Sequence, residues 1–78
     1  MKEVTDVLSI SRTTIYDMIS NGTFPKKLNL TERIGVFVKR EIDQFLVWKA
    51  TELPDEDIRK NLQEIYEQRG TYHYFESI

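Results

Sequence analysis

Between Ser9 and Pro25 the chain reads SISRTTIYDMISNGTFP, and the punctuation of this stretch limits the fold more than any other feature. Ser11 is suited to cap a helix, because its hydroxyl can accept a hydrogen bond from a free amide of the first turn. Asn21-Gly22 is suited to stop one, because glycine enters the left-handed conformation at little cost. Pro25 forbids continuation. A helix of about nine residues is therefore expected from Arg12 to Ser20, with Ile15, Met18 and Ile19 on its buried face. The preceding KEVTDVL spaces Val4, Val7 and Leu8 at i, i+3 and i+4, which predicts another short helix with one apolar face. Only the few residues around SIS separate the two. Each of the two short helices therefore has one apolar face to bury.

The remaining pattern adds further faces to bury. KKLNL and GVFV are two short extended runs separated by TERI, and they predict a β-hairpin. KREIDQFLVWK returns to helical spacing, with Ile42, Phe45 and Leu46 expected inward. Pro54 and the acids Asp55, Glu56 and Asp57 open a fourth helix, where negative charge suits the positive end of the helix dipole. Asp55–Arg59 and Glu56–Lys60 stand at i, i+4 as expected ion pairs. Ile58, Leu62, Ile65 and Tyr66 line one face, and Gly70 is expected to end the helix. TYHYFESI forms a short aromatic tail. The order helix, tight turn, helix, hairpin, helix is a winged helix-turn-helix, a mainly α fold with a small β-hairpin, followed by a C-terminal helix. Residues 1–50 form the winged part; residues 51–78 carry the acidic helix and the tail.

Charge separates the same two regions. Residues 1–50 hold eight Lys and Arg against six acids, and residues 51–78 hold three against seven. The net charge of -2 thus conceals a mildly basic front and an acidic back. The chain has no cysteine, which excludes disulfides and thiolate metal sites. No apolar run approaches the ~20 residues of a membrane span, and the opening residues, interrupted by Glu3 and Asp6, do not resemble a signal peptide. A cytoplasmic protein with no membrane partner is expected. His73 has no companion at ligand spacing, and no nucleophile–base pair, phosphate loop or metal motif is visible. Neither an enzyme nor a cofactor is expected.

What remains is a polar helix start. Around the second helix, Thr13, Tyr16, Asp17 and Ser20 fall opposite the apolar face, with Ser11, Arg12 and Thr14 at its tip. In a helix-turn-helix the N-terminal residues of the second helix lie nearest the base edges in the major groove. Hydroxyls there can meet phosphate oxygens or bases. Arg12 can grip guanine bidentately or bond phosphate. Asp17 can accept from cytosine or pair with a nearby base. Lys26, Lys27 and Arg33 would be carried by the hairpin onto the flanking backbone or into the minor groove. Lysines on an edge strand also serve to block edge-to-edge pairing, so their charge alone does not fix their role.

Residues 1–50 resemble the AlpA family of phage and prophage regulators, near the excisionases and the wider MerR-like winged-helix group. The resemblance rests on KEV at the start, SRTTIY at 11–16, ISNGTFPKK at 19–27 and REIDQFL at 40–46. It implies a small protein that binds double-stranded DNA on mobile elements, as a transcriptional regulator or as a recombination directionality factor. The partners it implies are an integrase or RNA polymerase, and further copies of the chain side by side on DNA. The chain departs from the family pattern at Asp17, where a basic residue is usual, at Val36 and Phe37, where arginine and tryptophan are usual, and at TER, which replaces a glycine pair in the wing turn. These departures, with the negative net charge, leave a rival open: an interaction module, such as an antagonist of another regulator, that has lost DNA binding. Val47 and Trp48 lie off the expected core face of the third helix. With Ile58, Leu62, Ile65 and Tyr66 they form either an intramolecular seam or an interface for a partner.

Overall fold

The computed structural model describes residues 2–72 and 76–77. Helix α1 spans Lys2–Leu8 and α2 spans Arg12–Ser20. Strands β1 (Leu28–Asn29) and β2 (Gly35–Val36) pair antiparallel, with Leu28 opposite Val36 and Asn29 opposite Gly35. Helix α3 spans Lys39–Ala50, and α4 spans Asp55–Gln68 before a single 3-10 turn, Arg69–Thr71. This is a winged helix-turn-helix with an added C-terminal helix. Expectations for the side chain of Val7 and for His73, Tyr74 and Phe75 fall outside the described residues.

The stops that shape the molecule are chemical. Ser11 Oγ accepts from the Thr14 amide at 3.1 Å and caps α2. At the other end of α2, Gly22 takes φ +78°. Its amide donates to the Ile19 carbonyl at 3.0 Å, and the Thr23 amide donates to the Met18 carbonyl at 2.9 Å. This pair of bonds is a Schellman motif, which satisfies carbonyls that a helix end otherwise leaves free. The end of α3 repeats the motif without a glycine. The Glu52 amide donates to Lys49 O at 3.1 Å, the Leu53 amide to Trp48 O at 3.0 Å, and Glu52 itself takes φ +58°. Ser9, in the turn between α1 and α2, is likewise left-handed at φ +56°.

The wing turn contains no glycine pair because Thr31 does the turning. Its hydroxyl accepts from the amides of Arg33 at 3.2 Å and Ile34 at 3.0 Å, while the Leu30 amide donates to the Ile34 carbonyl at 2.8 Å. A threonine side chain folding back onto nearby amides stands in for a backbone turn.

The core gathers Val4, Ile15, Phe24, Phe37, Ile42 and Phe45, with Leu8, Ile10, Met18, Ile19 and Trp48 packed around it. Phe24 is its hub. Its ring meets Phe37 edge-on at 5.8 Å between centroids and Phe45 at 4.8 Å. Leu46, expected inward, is 40% exposed. The inward stripe of α3 runs through Val38, Glu41, Ile42, Phe45 and Trp48, and Leu46 sits ~100° around the helix from its centre. Trp48 takes the inward place instead, so of the two residues expected off the core face only Val47, 54% exposed, remains there.

Helix α4 closes the fold. Ile58 and Leu62 are buried, and Ile65 and Tyr66 are half-buried. Neither expected ion pair along α4 forms, since the ion pairs among the described residues are Lys39–Asp43 and Arg69–Glu41. Arg59 turns to another helix instead. Gly70 does not cap α4 in the left-handed region but lies within the 3-10 turn that follows. Beyond it, Ser77 bridges to Val38, and the Lys39 amide donates to Glu76 O at 2.7 Å, so the chain returns to the start of α3.

Candidate nucleic-acid interface

Helix α2 buries Ile15 completely and half-buries Met18 and Ile19, which fixes how it presents its other sides. Ser11, Arg12, Thr13, Thr14, Tyr16, Asp17 and Ser20 are all exposed. Their side chains are not equally available. Ser11 and Thr14 share a hydrogen bond at 2.9 Å between their hydroxyls, in addition to the cap. Both are committed to holding the helix start, although each oxygen retains capacity for a further partner. The side chains of Arg12, Thr13, Asp17 and Ser20 make no hydrogen bond or ion pair with any described residue. Along the open side of α2 the chain thus offers a guanidinium, two hydroxyls and a carboxylate, none of them spent internally.

Tyr16 links this helix to the wing. The Lys27 ammonium donates to the Tyr16 hydroxyl at 3.5 Å and stands 5.9 Å from the Tyr16 ring and 5.7 Å from the Phe37 ring. The stem of Lys27 crosses Gly35 so closely that a side chain there would meet Lys27 Cδ at 3.2 Å. Glycine at 35 lets the lysine lie across the hairpin and point its charge toward α2. Lys26, the residue before, takes a different course. Its ammonium sits 4.7 Å above the Tyr66 ring of α4. Arg33 is exposed at the wing tip, flanked by Leu30 and Ile34, each more than half exposed. The structure therefore brings Tyr16 and Lys27 together, and attaches Lys26 to α4.

Several residues that shape this face carry no local signal in the sequence. Arg59 Nε donates to the Asn21 carbonyl at 2.7 Å, at the C-terminus of α2. The Tyr66 hydroxyl accepts from the Lys26 amide at 3.0 Å, and Arg69 Nη2 donates to the Lys26 carbonyl at 2.7 Å. Burial raises the Tyr66 pKa, partly offset by the hydrogen bond from Lys26. Arg69 also holds Glu41, which is 1% exposed, through Nη2 to Oε1 at 2.6 Å and Nε to Oε2 at 2.8 Å. The Tyr72 hydroxyl donates to Glu41 Oε2 at 3.1 Å, and Arg40 stacks on the Tyr72 ring at 4.4 Å. The hydrogen bond to Glu41 raises the Arg69 pKa, while burial and then the Glu41 charge raise that of Tyr72. Glu41 stands in the first turn of α3 like any solvated acid, and its partners lie 28 and 31 residues downstream. Only the folded chain reveals them.

Of the residues expected to face a partner, Val47 is the most exposed; Trp48, Ile65 and Tyr66 are half-buried, and Ile58 and Leu62 lie inside the chain. Among the described residues no group of His, Asp and Glu is arranged to hold a metal, and no helix is long and apolar enough to cross a membrane. No curated protein and no solved structure matches the chain at a significant level. A family profile does: that of the Prophage CP4-57 regulatory protein (AlpA) matches residues 1–53, which takes in the helix-turn-helix, the wing and α3. With two thirds of its length inside that match, the chain belongs to the AlpA family of phage regulatory proteins.

Proposed function

We propose that the chain binds double-stranded DNA of a phage or other mobile element through α2 and the wing, and regulates excisive recombination or transcription there. The observation that carries this reading is the open side of α2. Arg12, Thr13, Asp17 and Ser20 are exposed and have no internal partner, and a basic wing residue, Lys27, is tethered beside them through Tyr16. In this reading α2 lies in the major groove. Arg12 meets guanine or phosphate, Thr13 and Ser20 supply hydroxyls, and Asp17 accepts from cytosine. Lys27 and Arg33 contact the backbone on either side, giving affinity without sequence information. Ser11 and Thr14 are chiefly the cap that aims the helix. One such helix reads only a few base pairs, so several copies on adjacent sites supply the useful affinity.

A gel-shift of the purified protein on DNA from its own locus, with random duplex as competitor, tests the reading. Retardation that survives the competitor supports it. Absence of any shift at micromolar protein and low salt would favour the rival, an antagonist that acts by binding another regulator. The Arg12→Ala variant should lose ~1–3 kcal/mol of specific binding if the guanine contact is bidentate.

A further inference from the structure

Six residues, Asn21 to Lys26, connect the C-terminus of α2 to the wing, and three side chains of the C-terminal segment hold both ends of that connector. At its start, Arg59 Nε donates to Asn21 O at 2.7 Å. This oxygen is at the negative end of the α2 dipole, where a guanidinium is favoured. At its finish, the Lys26 amide donates to Tyr66 Oη at 3.0 Å, and Lys26 O accepts from Arg69 Nη2 at 2.7 Å. Between these points Thr23, Phe24 and Pro25 are buried. Gly22 presents its bare Cα to the stem of Arg59; a methyl there would touch Arg59 Cγ at 3.5 Å. Arg69 is itself fixed by its fork onto the buried Glu41. None of Arg59, Tyr66 and Arg69 lies in the family-matched residues 1–53.

Burial alone does not require this arrangement. Ile58 and Leu62 already seat α4 against the rest of the chain. Asn21 and Lys26 are exposed, so water would satisfy their backbone groups. Three polar side chains converge on the one segment whose conformation sets the relation between α2 and the wing. A binding constellation must be held within a fraction of an ångström to discriminate between partners, and side chains that lock its supports provide this.

We infer that Arg59, Tyr66 and Arg69 are positioning residues: they clamp the connector and fix the angle between α2 and the wing, and thereby set sequence selectivity for DNA. The inference rests on the DNA-binding reading above. The clamp residues act through the connector and touch no base. Their loss should spare the phosphate contacts that give non-specific affinity and weaken the simultaneous fit of helix and wing that gives preference.

The test begins with selection of preferred duplexes from a random pool by the full chain, followed by affinities for the selected duplex and a scrambled one. Arg59→Met and Tyr66→Phe should each lower the ratio of the two affinities about tenfold, while scrambled-duplex affinity stays within about twofold. Arg59→Lys, which can still donate to Asn21 O, should keep most of the ratio. Ile58→Val shortens a core side chain in the same helix and leaves the clamp intact; it should lower the melting temperature and keep the ratio. Tyr66→Phe removes a single oxygen, so it decides the matter should Arg59→Met fail to fold. Unchanged selectivity in folded clamp variants would overturn the inference and leave DNA binding standing. So would an equal loss in Ile58→Val, since the clamp would then act only through stability. If the wild-type chain selects and retards no duplex, the DNA-binding reading falls and the inference falls with it.

Discussion

Arg69 grips Glu41 with two parallel hydrogen bonds, 2.6 and 2.8 Å long, and joins the 3-10 turn after α4 to the first turn of α3. A carboxylate that is 1% exposed needs such a partner, because an unpaired buried charge is costly.

The two partners are not equivalent. Arg69→Met strands Glu41 in the interior and should cost about 3–5 kcal/mol. Glu41→Gln keeps an acceptor for Arg69, whose side chain retains some exposure to water, and should cost less. Replacing both, as Glu41→Leu with Arg69→Met, should recover much of the loss, because a buried ion pair contributes little beyond a well-packed apolar pair. Urea denaturation of the three variants checks the order, and a double variant no better than Arg69→Met would contradict it.

The left-handed residues predict stabilising changes. Ser9 at φ +56° and Glu52 at φ +58° both hold a conformation that glycine adopts more readily. Ser9→Gly and Glu52→Gly should each raise stability by about 0.5–1 kcal/mol, or about 2–8 °C in melting temperature for a domain of this size. Gly22→Ala should act in the opposite sense, because Gly22 sits at φ +78°. Thermal melts of the three variants would expose an error in any of these signs.

Alkaline pH should loosen the C-terminal seam. Tyr66 and Tyr72 both have pKa values raised above the ordinary 10.0, chiefly by burial. A raised folded-state pKa contributes stability that is fully present below the unfolded value and is lost as pH climbs through the folded one. Wild-type stability should therefore fall from about pH 10 upward, and Tyr72→Phe and Tyr66→Phe should each flatten that fall. Denaturation midpoints between pH 8 and 11 measure it. An identical decline in both variants and the wild type would refute the assignment.

Lys27 should report on the phosphate backbone. Lys27→Met keeps the apolar stem over Gly35 and removes the charge. It should weaken binding about equally on all duplexes, and the slope of log K against log salt should become shallower by about one. A change in sequence preference at constant slope would show that Lys27 does not meet the backbone.

Much of the fold was legible because its signals are local. Ser11, Gly22, Pro25 and Pro54 act within one helical turn of themselves, and their positions bound α2 and open α4 as the structure has them. The hairpin was legible from its two short extended runs, but its turn was not, since Thr31 replaces the expected turn residues with a side-chain hydroxyl. Glu52 ends α3 in a conformation that its residue type disfavours, so composition gives no hint of the stop. The open side of α2 followed from helical projection. The supports behind it did not. Arg59 stands at i, i+4 from Asp55 on its own helix, yet it reaches Asn21, 38 residues earlier in the chain. Spacing rules describe neighbours on one element and are silent about contacts that tertiary packing alone creates.

The span of those contacts has a consequence during synthesis. Lys26 and Arg69, joined by a hydrogen bond from the guanidinium to the backbone carbonyl, are 43 residues apart. At ~5–20 residues per second, a ribosome needs about 2–9 s to travel from one codon to the other. For that interval the nascent chain already carries the helix tip and the lysines of the wing, but not the side chains that brace their carrier. Slow codons between positions 27 and 69 would prolong this interval without altering a single residue of the finished protein.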